Sequence, residues 1–227
     1  MVNGEFTIDK EGEVVEKNNY PAGVRFFAQV FSYLFHPLFI PLYVTFFLVF
    51  IHSNYFVGFG IREKIWLLVR VSYTMIFFPL VTVLLLKGLG FISSIFLKTQ
   101  RDRIIPYIAS GIFFFWAYLV FRNQPEIPTI LTSFTFAVFI SSSAALMANI
   151  YFKISMHAIG MGGVLGLFFV IMQQNNMLMT VPLSIAFLIT GLVCTSRLIV
   201  SDHSTKEIYA GLAMGIVCQL VAAVMYL

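Results

Sequence analysis

Long apolar runs recur along this chain, and short polar stretches separate them. A helix needs about 20 mostly apolar residues to cross the hydrocarbon layer of a bilayer. By that length the sequence predicts up to seven spans, at residues 26–52, 65–87, 104–121, 129–152, 158–173, 178–200 and 207–226. Residues 1–25 are polar and lack the apolar core of a cleaved signal peptide, so they predict an N-terminal tail. We therefore expect an all-α protein, a polytopic transmembrane helical bundle of six or seven spans, with one domain over residues 26–227.

The first apolar run is the least regular, because Pro37 and Pro41 lie inside it. Proline lacks a backbone donor and its ring clashes with the preceding turn, so it kinks or breaks a helix. We expect this segment to be bent or only partly inserted, and the number of spans is six or seven for that reason.

Composition supports the membrane assignment. Hydrophobic residues make up 59% of the chain and charged residues only 11%, whereas a soluble domain carries about 25% charged residues. The chain therefore cannot cover itself with a solvated surface. Its formal net charge of +4 is modest and indicates contacts with lipid headgroups and phosphate rather than with nucleic acid. Cys194 and Cys218 lie inside apolar runs, where we expect them to pack as small hydrophobic side chains.

The polar links between spans differ in their chemistry. If successive spans alternate in direction, the links after the second, fourth and sixth spans lie on one face of the membrane. Those links contain KTQRDR at 98–103, KISMH at 153–157 and SRLIVSDHSTKE at 196–207. The links on the opposite face carry fewer reactive side chains. The pattern therefore predicts a polar site at one face.

Convergence of these three links would build an anion site. Four cations would surround two histidines and a carboxylate: Lys98, Arg101, Arg103 and Arg197 around His157, His203 and Glu207. Such an array suits phosphoryl transfer, which depends mainly on positioning and on stabilising charge on the phosphate oxygens. Arginine is favoured in this role because its planar guanidinium group binds phosphate oxygens in pairs. A histidine can attack phosphorus when a carboxylate holds its ring in one tautomer, and His203 and Glu207 have the i, i+4 spacing for that contact.

The last of these links resembles the third signature of the type 2 phosphatidic acid phosphatase superfamily. That signature reads SR, five residues, H, three residues, D. Here the pattern is Ser196 and Arg197, five residues, His203, three residues, and Glu207.

The other two signatures of this superfamily have partial counterparts. PSGH corresponds to the ISMH of residues 154–157, which keeps the serine and the histidine. The pattern of Lys, six residues and Arg-Pro corresponds to Lys98 and Pro106, with Ile105 in the place of the arginine.

The resemblance implies a role for each matching residue. His203 would be the nucleophile that forms a phosphohistidine, Glu207 would orient it, and His157 would be the general acid. The implied phosphate-binding residues are Lys98, Arg101, Arg103, Ser155, Ser196 and Arg197, with Arg101 or Arg103 replacing the missing arginine. The resemblance also implies no cofactor and no metal, a membrane lipid phosphate or pyrophosphate as the substrate, and a bacterial inner membrane as the location.

Two alternatives stay open. Ile105 and Met156 depart from the signatures, which would fit a relative that binds lipid phosphate but is catalytically impaired. The other alternative is a small membrane transporter, for which Arg70 is the main ionisable candidate inside a span. His36 and His52 have no polar partner nearby in sequence, and we interpret them as structural or interfacial.

The orientation of the polar site also stays open. Lysine and arginine outside the candidate site are more numerous on its face than on the opposite face, which favours the cytoplasm under the positive-inside rule. Many bacterial members of the superfamily instead face outward.

Overall fold

The computed structural model describes residues 4–8, 14–18, 20–95, 100–174, 179–200 and 203–227. Its helices are α1 (Ala22–Leu34), α2 (Ile40–Ile51), α3 (Ile61–Gly88), α4 (Gln100–Arg122), α5 (Thr129–Tyr151), α6 (Met156–Gln174), α7 (Thr180–Val200) and α8 (Thr205–Tyr226). Near the N-terminus, strands β1 (Gly4–Ile8) and β2 (Val14–Asn18) pair in antiparallel fashion. Helices α3 to α8 are each long and apolar enough to cross a membrane. The expectation of an all-α polytopic helical bundle is confirmed.

The first apolar run is interrupted, as its prolines predict. Helix α1 ends at Leu34 and α2 begins at Ile40, with Pro37 in the turn between them. Pro41 falls in the first turn of α2, where the missing N–H is tolerated because that donor has no partner inside the helix. The last turn of α2, Phe47–Ile51, is π-helical.

Helix α2 runs alongside α6 in the same direction. Its start lies against the start of α6, because a Cβ added at Gly160 would meet the side chains of Ile40 and Pro37. Its second half lies about two turns further along, where the ring of Phe47 stacks on that of Phe168 with 4.6 Å between centroids. The turn between α1 and α2 therefore lies at the end of the bundle where α6 begins.

We call this end, where α4, α6 and α8 begin, the polar end, and the opposite end the far end. The link between α3 and α4 at the polar end is held to both helices. The backbone N–H of Ser93 donates to the carboxylate of Asp102 in α4 at 2.9 Å, and the ammonium of Lys87 in α3 donates to the Ser93 carbonyl at 2.6 Å. The three links that the sequence assigns to one face therefore share the polar end.

Helices α6 and α8 approach closely through glycine. A Cβ added at Gly215 would collide with the carbonyl oxygen of Ile159, and one added at Gly211 would lie 2.9 Å from the carbonyl oxygen of Ser155. Small residues at such a contact let two membrane helices pack backbone against backbone. The contact places the second turn of α8 beside the start of α6, where His157 lies, so the first turn of α8 with the neighbouring His203 lies at the same end of the bundle.

Candidate functional site

The strongest contact of the site joins His203 to Glu207. The Nδ1 atom of His203 lies 2.6 Å from Oε2 of Glu207, and 4% of the histidine side chain is exposed against 22% of the glutamate. The pair forms because α8 begins between the two residues, so Glu207 reaches back over the first helical turn. A carboxylate oxygen can only accept a hydrogen bond, so Nδ1 donates and the ring carries its lone pair on Nε2.

A capping box holds the carboxylate in this place. Ser204 is the N-cap of α8, and its hydroxyl oxygen accepts from the backbone N–H of Glu207 at 3.3 Å. In return, the backbone N–H of Ser204 donates to Oε2 of Glu207 at 3.3 Å. The same carboxylate oxygen therefore caps the N-terminus of α8 and orients the imidazole of His203. The glutamate side chain is long enough to reach both donors.

The surroundings of His203 favour the neutral ring. Burial lowers the pKa of His203 below its ordinary value of 6.5, while the hydrogen bond to Glu207 acts in the opposite direction. The charges of Lys153 and Arg197 lower the pKa further. The result is an imidazole that is unprotonated near neutral pH and held in one tautomer, which is the state that a nitrogen nucleophile requires.

His157 occupies the first turn of α6 and is oriented by the N-terminal segment. Its Nε2 atom donates to the backbone carbonyl of Ser32, near the end of α1, at 3.0 Å. Because the carbonyl only accepts, Nε2 carries a proton and Nδ1 is the ring atom that can exchange one with a ligand. The ring of His36 lies edge-on to His157 with 5.3 Å between centroids. The charges of Arg197 and His203 also act on the His157 ring, so the two predicted histidines share one site.

Two arginines bring positive charge to the same place. Arg197, in the last turn of α7, donates from a terminal guanidinium nitrogen to the Ser32 hydroxyl at 3.4 Å. Arg103, in the first turn of α4, donates to the carbonyl of Ile154 at 3.3 Å and lies within electrostatic range of Arg197. The polar links around α4, α6 and α8 therefore converge as predicted. Two like charges held together in this way favour an anion between them.

The remaining predicted residues lie in different environments. Ser155 is fully buried and caps α6, since its hydroxyl accepts from the N–H of Ala158 at 3.5 Å. Ser196 donates its hydroxyl proton to the Leu192 carbonyl one turn earlier in α7, at 2.7 Å. Arg101 is exposed.

The two positions of the first signature give less support. Lys98 lies outside the described residues. Ile105, which stands where the signature has arginine, is 40% exposed. Of the two nearby arginines, Arg103 contacts the second link through the Ile154 carbonyl, whereas Arg101 is exposed.

Sequence reasoning missed several neighbours of the site. Ser32 and His36 contact the site from the N-terminal segment, so His36 is a site residue in addition to being structural. Lys153 adds a positive charge near His203. Only Ser204 left a readable signal, because serine followed three residues later by glutamate before an apolar run is the pattern of a capping box.

Among the residues that the structure describes, no group of three His, Cys, Asp or Glu side chains is placed to hold a metal ion. No protein-family model, no curated protein and no solved structure matches this chain.

Proposed function

We propose that this membrane bundle is a phosphatase that removes phosphate from a lipid phosphate or lipid pyrophosphate through a phosphohistidine. The observation that carries the proposal is the buried His203, held by Glu207 at 2.6 Å with its Nε2 lone pair available for attack. The guanidinium groups of Arg103 and Arg197 lie at the same end of the bundle as this nucleophile, as His157 does. A nucleophile, a carboxylate that orients it, a proton donor and paired cations are the groups that this reaction requires.

In the first step, Nε2 of His203 attacks phosphorus and forms a P–N bond while the P–O bond to the lipid breaks. His157 takes up a proton at Nδ1 when the doubly charged phosphate binds beside it, and it donates that proton to the departing oxygen. The carboxylate of Glu207 stabilises the positive charge that the attacking ring acquires. Arg103 and Arg197 neutralise the charge on the phosphate oxygens, so the proposed route needs no metal ion.

In the second step, water attacks the phosphohistidine from the side of the departed lipid. His157, now neutral at Nδ1, takes a proton from that water, and the P–N bond breaks to release inorganic phosphate. Both histidines then return to their starting states. The N–H groups in the first turn of α6 support the anion as well, because a helix start carries unpaired donors and partial positive charge.

The lipid nature of the substrate rests on where the site lies. The catalytic groups lie at one end of a bundle of membrane-spanning helices, where a lipid headgroup meets water while its chains stay in the hydrocarbon. The resemblance to the phosphatidic acid phosphatase superfamily supports the same substrate class and a bacterial inner membrane. Arg70, the ionisable residue that a transporter would use, donates to the side chain of Gln124 near the far end.

Phosphate release by the purified protein tests the proposal. The chain in detergent is given a lipid phosphate and a lipid pyrophosphate, and the His203→Ala variant is compared with wild type. We expect release by wild type and its loss in the variant. His52→Ala is the matched control, since His52 is a buried histidine beyond α2, away from the polar end.

Each other outcome rejects part of the proposal. Undiminished release by His203→Ala would remove His203 as the nucleophile. Saturable binding of the lipid phosphate by wild type, with no release of phosphate, would identify the chain as a binding protein that has lost catalysis.

A further inference from the structure

An apolar cavity of about 330 Å³ lies between α2, α6 and α7. It exists because the broken N-terminal run sends its two helices to different neighbours: α1 packs on α7, while α2 packs on α3 and α6. Helices α2 and α7 therefore leave a space between them, and the third side of this space is formed by α6. Its walls include Phe35, Val44, Phe47, Met161, Phe168 and Ala186. We call this space the lateral groove.

The groove begins directly beneath the candidate site. Phe35 lines it, and Phe35 lies between Ser32 and His36 in the segment that orients His157. Along α6, the lining starts at Met161, one turn after His157, and continues to Phe168. At 1.5 Å per helical residue, the groove starts about 6 Å beyond His157 and extends about 10 Å further towards the far end.

The chemistry of the groove suits hydrocarbon. Its lining is aliphatic and aromatic, and the hydroxyl of Tyr43 is directed away to the Leu34 carbonyl, to which it donates at 2.9 Å. One long side is open, because Val181 and Ile185 on its rim are 67% and 51% exposed. In a chain that spans the membrane, this side faces lipid, so a hydrocarbon chain can enter from the bilayer without crossing water.

The volume of the groove limits its occupant. A protein cavity of about 150 Å³ holds one benzene molecule, so a cavity of 330 Å³ accommodates on the order of a dozen carbon atoms. This is enough for the proximal part of one hydrocarbon chain and too little for two chains side by side.

We infer that the lateral groove binds the proximal part of one hydrocarbon chain of the lipid whose phosphate occupies the His203 site. This inference rests on the proposed function and narrows its substrate to a phosphate or pyrophosphate carried on a chain of at least about a dozen carbons. The groove adjoins the site, so a single ligand can place its phosphate in the site and its hydrocarbon chain in the groove. The phosphate lies among the cations of the polar end, and the chain passes Phe35 into the membrane.

A series of alkyl phosphates tests the inference with the purified protein at a constant detergent concentration. For wild type, we expect kcat/KM to rise from butyl through octyl to dodecyl phosphate and to change little for hexadecyl phosphate. The Ala186→Phe variant fills the groove, since Ala186 lines it and is buried. We expect this variant to lose at least about tenfold in kcat/KM on dodecyl phosphate, equivalent to about two buried methylene groups, and nothing on butyl phosphate.

The matched control is Leu188→Phe, in the same helix but 66% exposed, which should leave the chain-length profile unchanged. Equal losses on butyl and dodecyl phosphate, or no loss on either, would overturn the inference while leaving the phosphatase proposal in place. A wild-type kcat/KM that does not change with chain length would also overturn the inference and leave the phosphatase proposal in place.

A photoreactive dodecyl phosphate gives a readout that does not depend on turnover. With a diazirine near the end of its chain, it should label α2, α6 and α7 along the groove, and Ala186→Phe should reduce that labelling. Labelling spread over α3 and α4 would overturn the inference. Labelling of the groove without phosphate release from any alkyl phosphate would support the groove and reject the catalytic proposal.

Discussion

Replacement of Glu207 by glutamine separates the two bonds that its carboxylate makes. Oε2 accepts from His203 Nδ1 at 2.6 Å and from the backbone N–H of Ser204 at 3.3 Å. Glutamine has the same shape and is itself a favoured capping-box residue at this position, so Glu207→Gln keeps the start of α8. It removes the negative charge, and when its amide donates to Nδ1 the imidazole carries its proton on Nε2, where the attacking lone pair is needed.

The loss of rate follows from the strength of that bond. A hydrogen bond to a charged group contributes about 1.5–3 kcal/mol, and each 1.36 kcal/mol corresponds to a factor of ten in rate. If the contact acts when the ring becomes positive in the transition state, Glu207→Gln should lower kcat by about 10-fold to 150-fold. The acid limb of the pH–rate profile should also move to lower pH, because Glu207 raises the pKa of His203.

Phosphate release from a lipid phosphate under saturating conditions measures the change in kcat. Ser204→Ala is the control, because it removes the cap of α8 and leaves the carboxylate of Glu207. It should cost about 1 kcal/mol of stability with little change in kcat. A Glu207→Gln variant within about threefold of wild type would refute the orienting role, which predicts at least about tenfold. Equal losses in the two variants would show that Glu207 acts only through the fold of α8.

Three further outcomes test the packing, the cations and the titration of the site. Gly215→Ala should lower the unfolding free energy in detergent by about 1–3 kcal/mol through overpacking against a carbonyl of α6, whereas Gly191→Ala, whose Cβ meets nothing within 4 Å, should not destabilise. Arg103→Ala should reduce kcat/KM on a lipid phosphate at least about tenfold through a lost charged hydrogen bond, and the exposed Arg101→Ala should change it little. Equal reductions in kcat/KM would contradict the preference for Arg103. Because burial lowers the pKa of His203 in the fold, its contribution to stability is complete above the unfolded pKa of about 6.5 and is lost as the pH falls through the folded pKa. Denaturant titrations from pH 7.5 to pH 5 should show that decline in wild type and a smaller one in His203→Gln.

The helical bundle and one half of the site follow from the sequence because both depend on local patterns. Hydropathy over a window of span length placed a helix at residues 129–152, and α5 runs from Thr129 to Tyr151. The pairing of His203 with Glu207 follows from the four-residue repeat of a helix that begins between them. Pro37 interrupts its helix whatever the tertiary packing, because the missing N–H and the ring clash affect only the helical turn that contains the proline.

Contacts across the sequence required the tertiary structure. The bond of His157 to Ser32 joins residues 125 positions apart, and no periodicity near His157 points to α1. These contacts exist because glycines let α6 and α8 meet closely and because α1 packs on α7, and such choices among helix faces are made by the whole bundle at once. By itself the sequence determined that the chain forms a bundle of long apolar helices, which end carries the charge and which carboxylate holds His203, but it left the number of spans at six or seven. Tertiary packing decided that the N-terminal segment orients His157, that Arg103 rather than Arg101 reaches the second link, and that an apolar groove opens beneath the site.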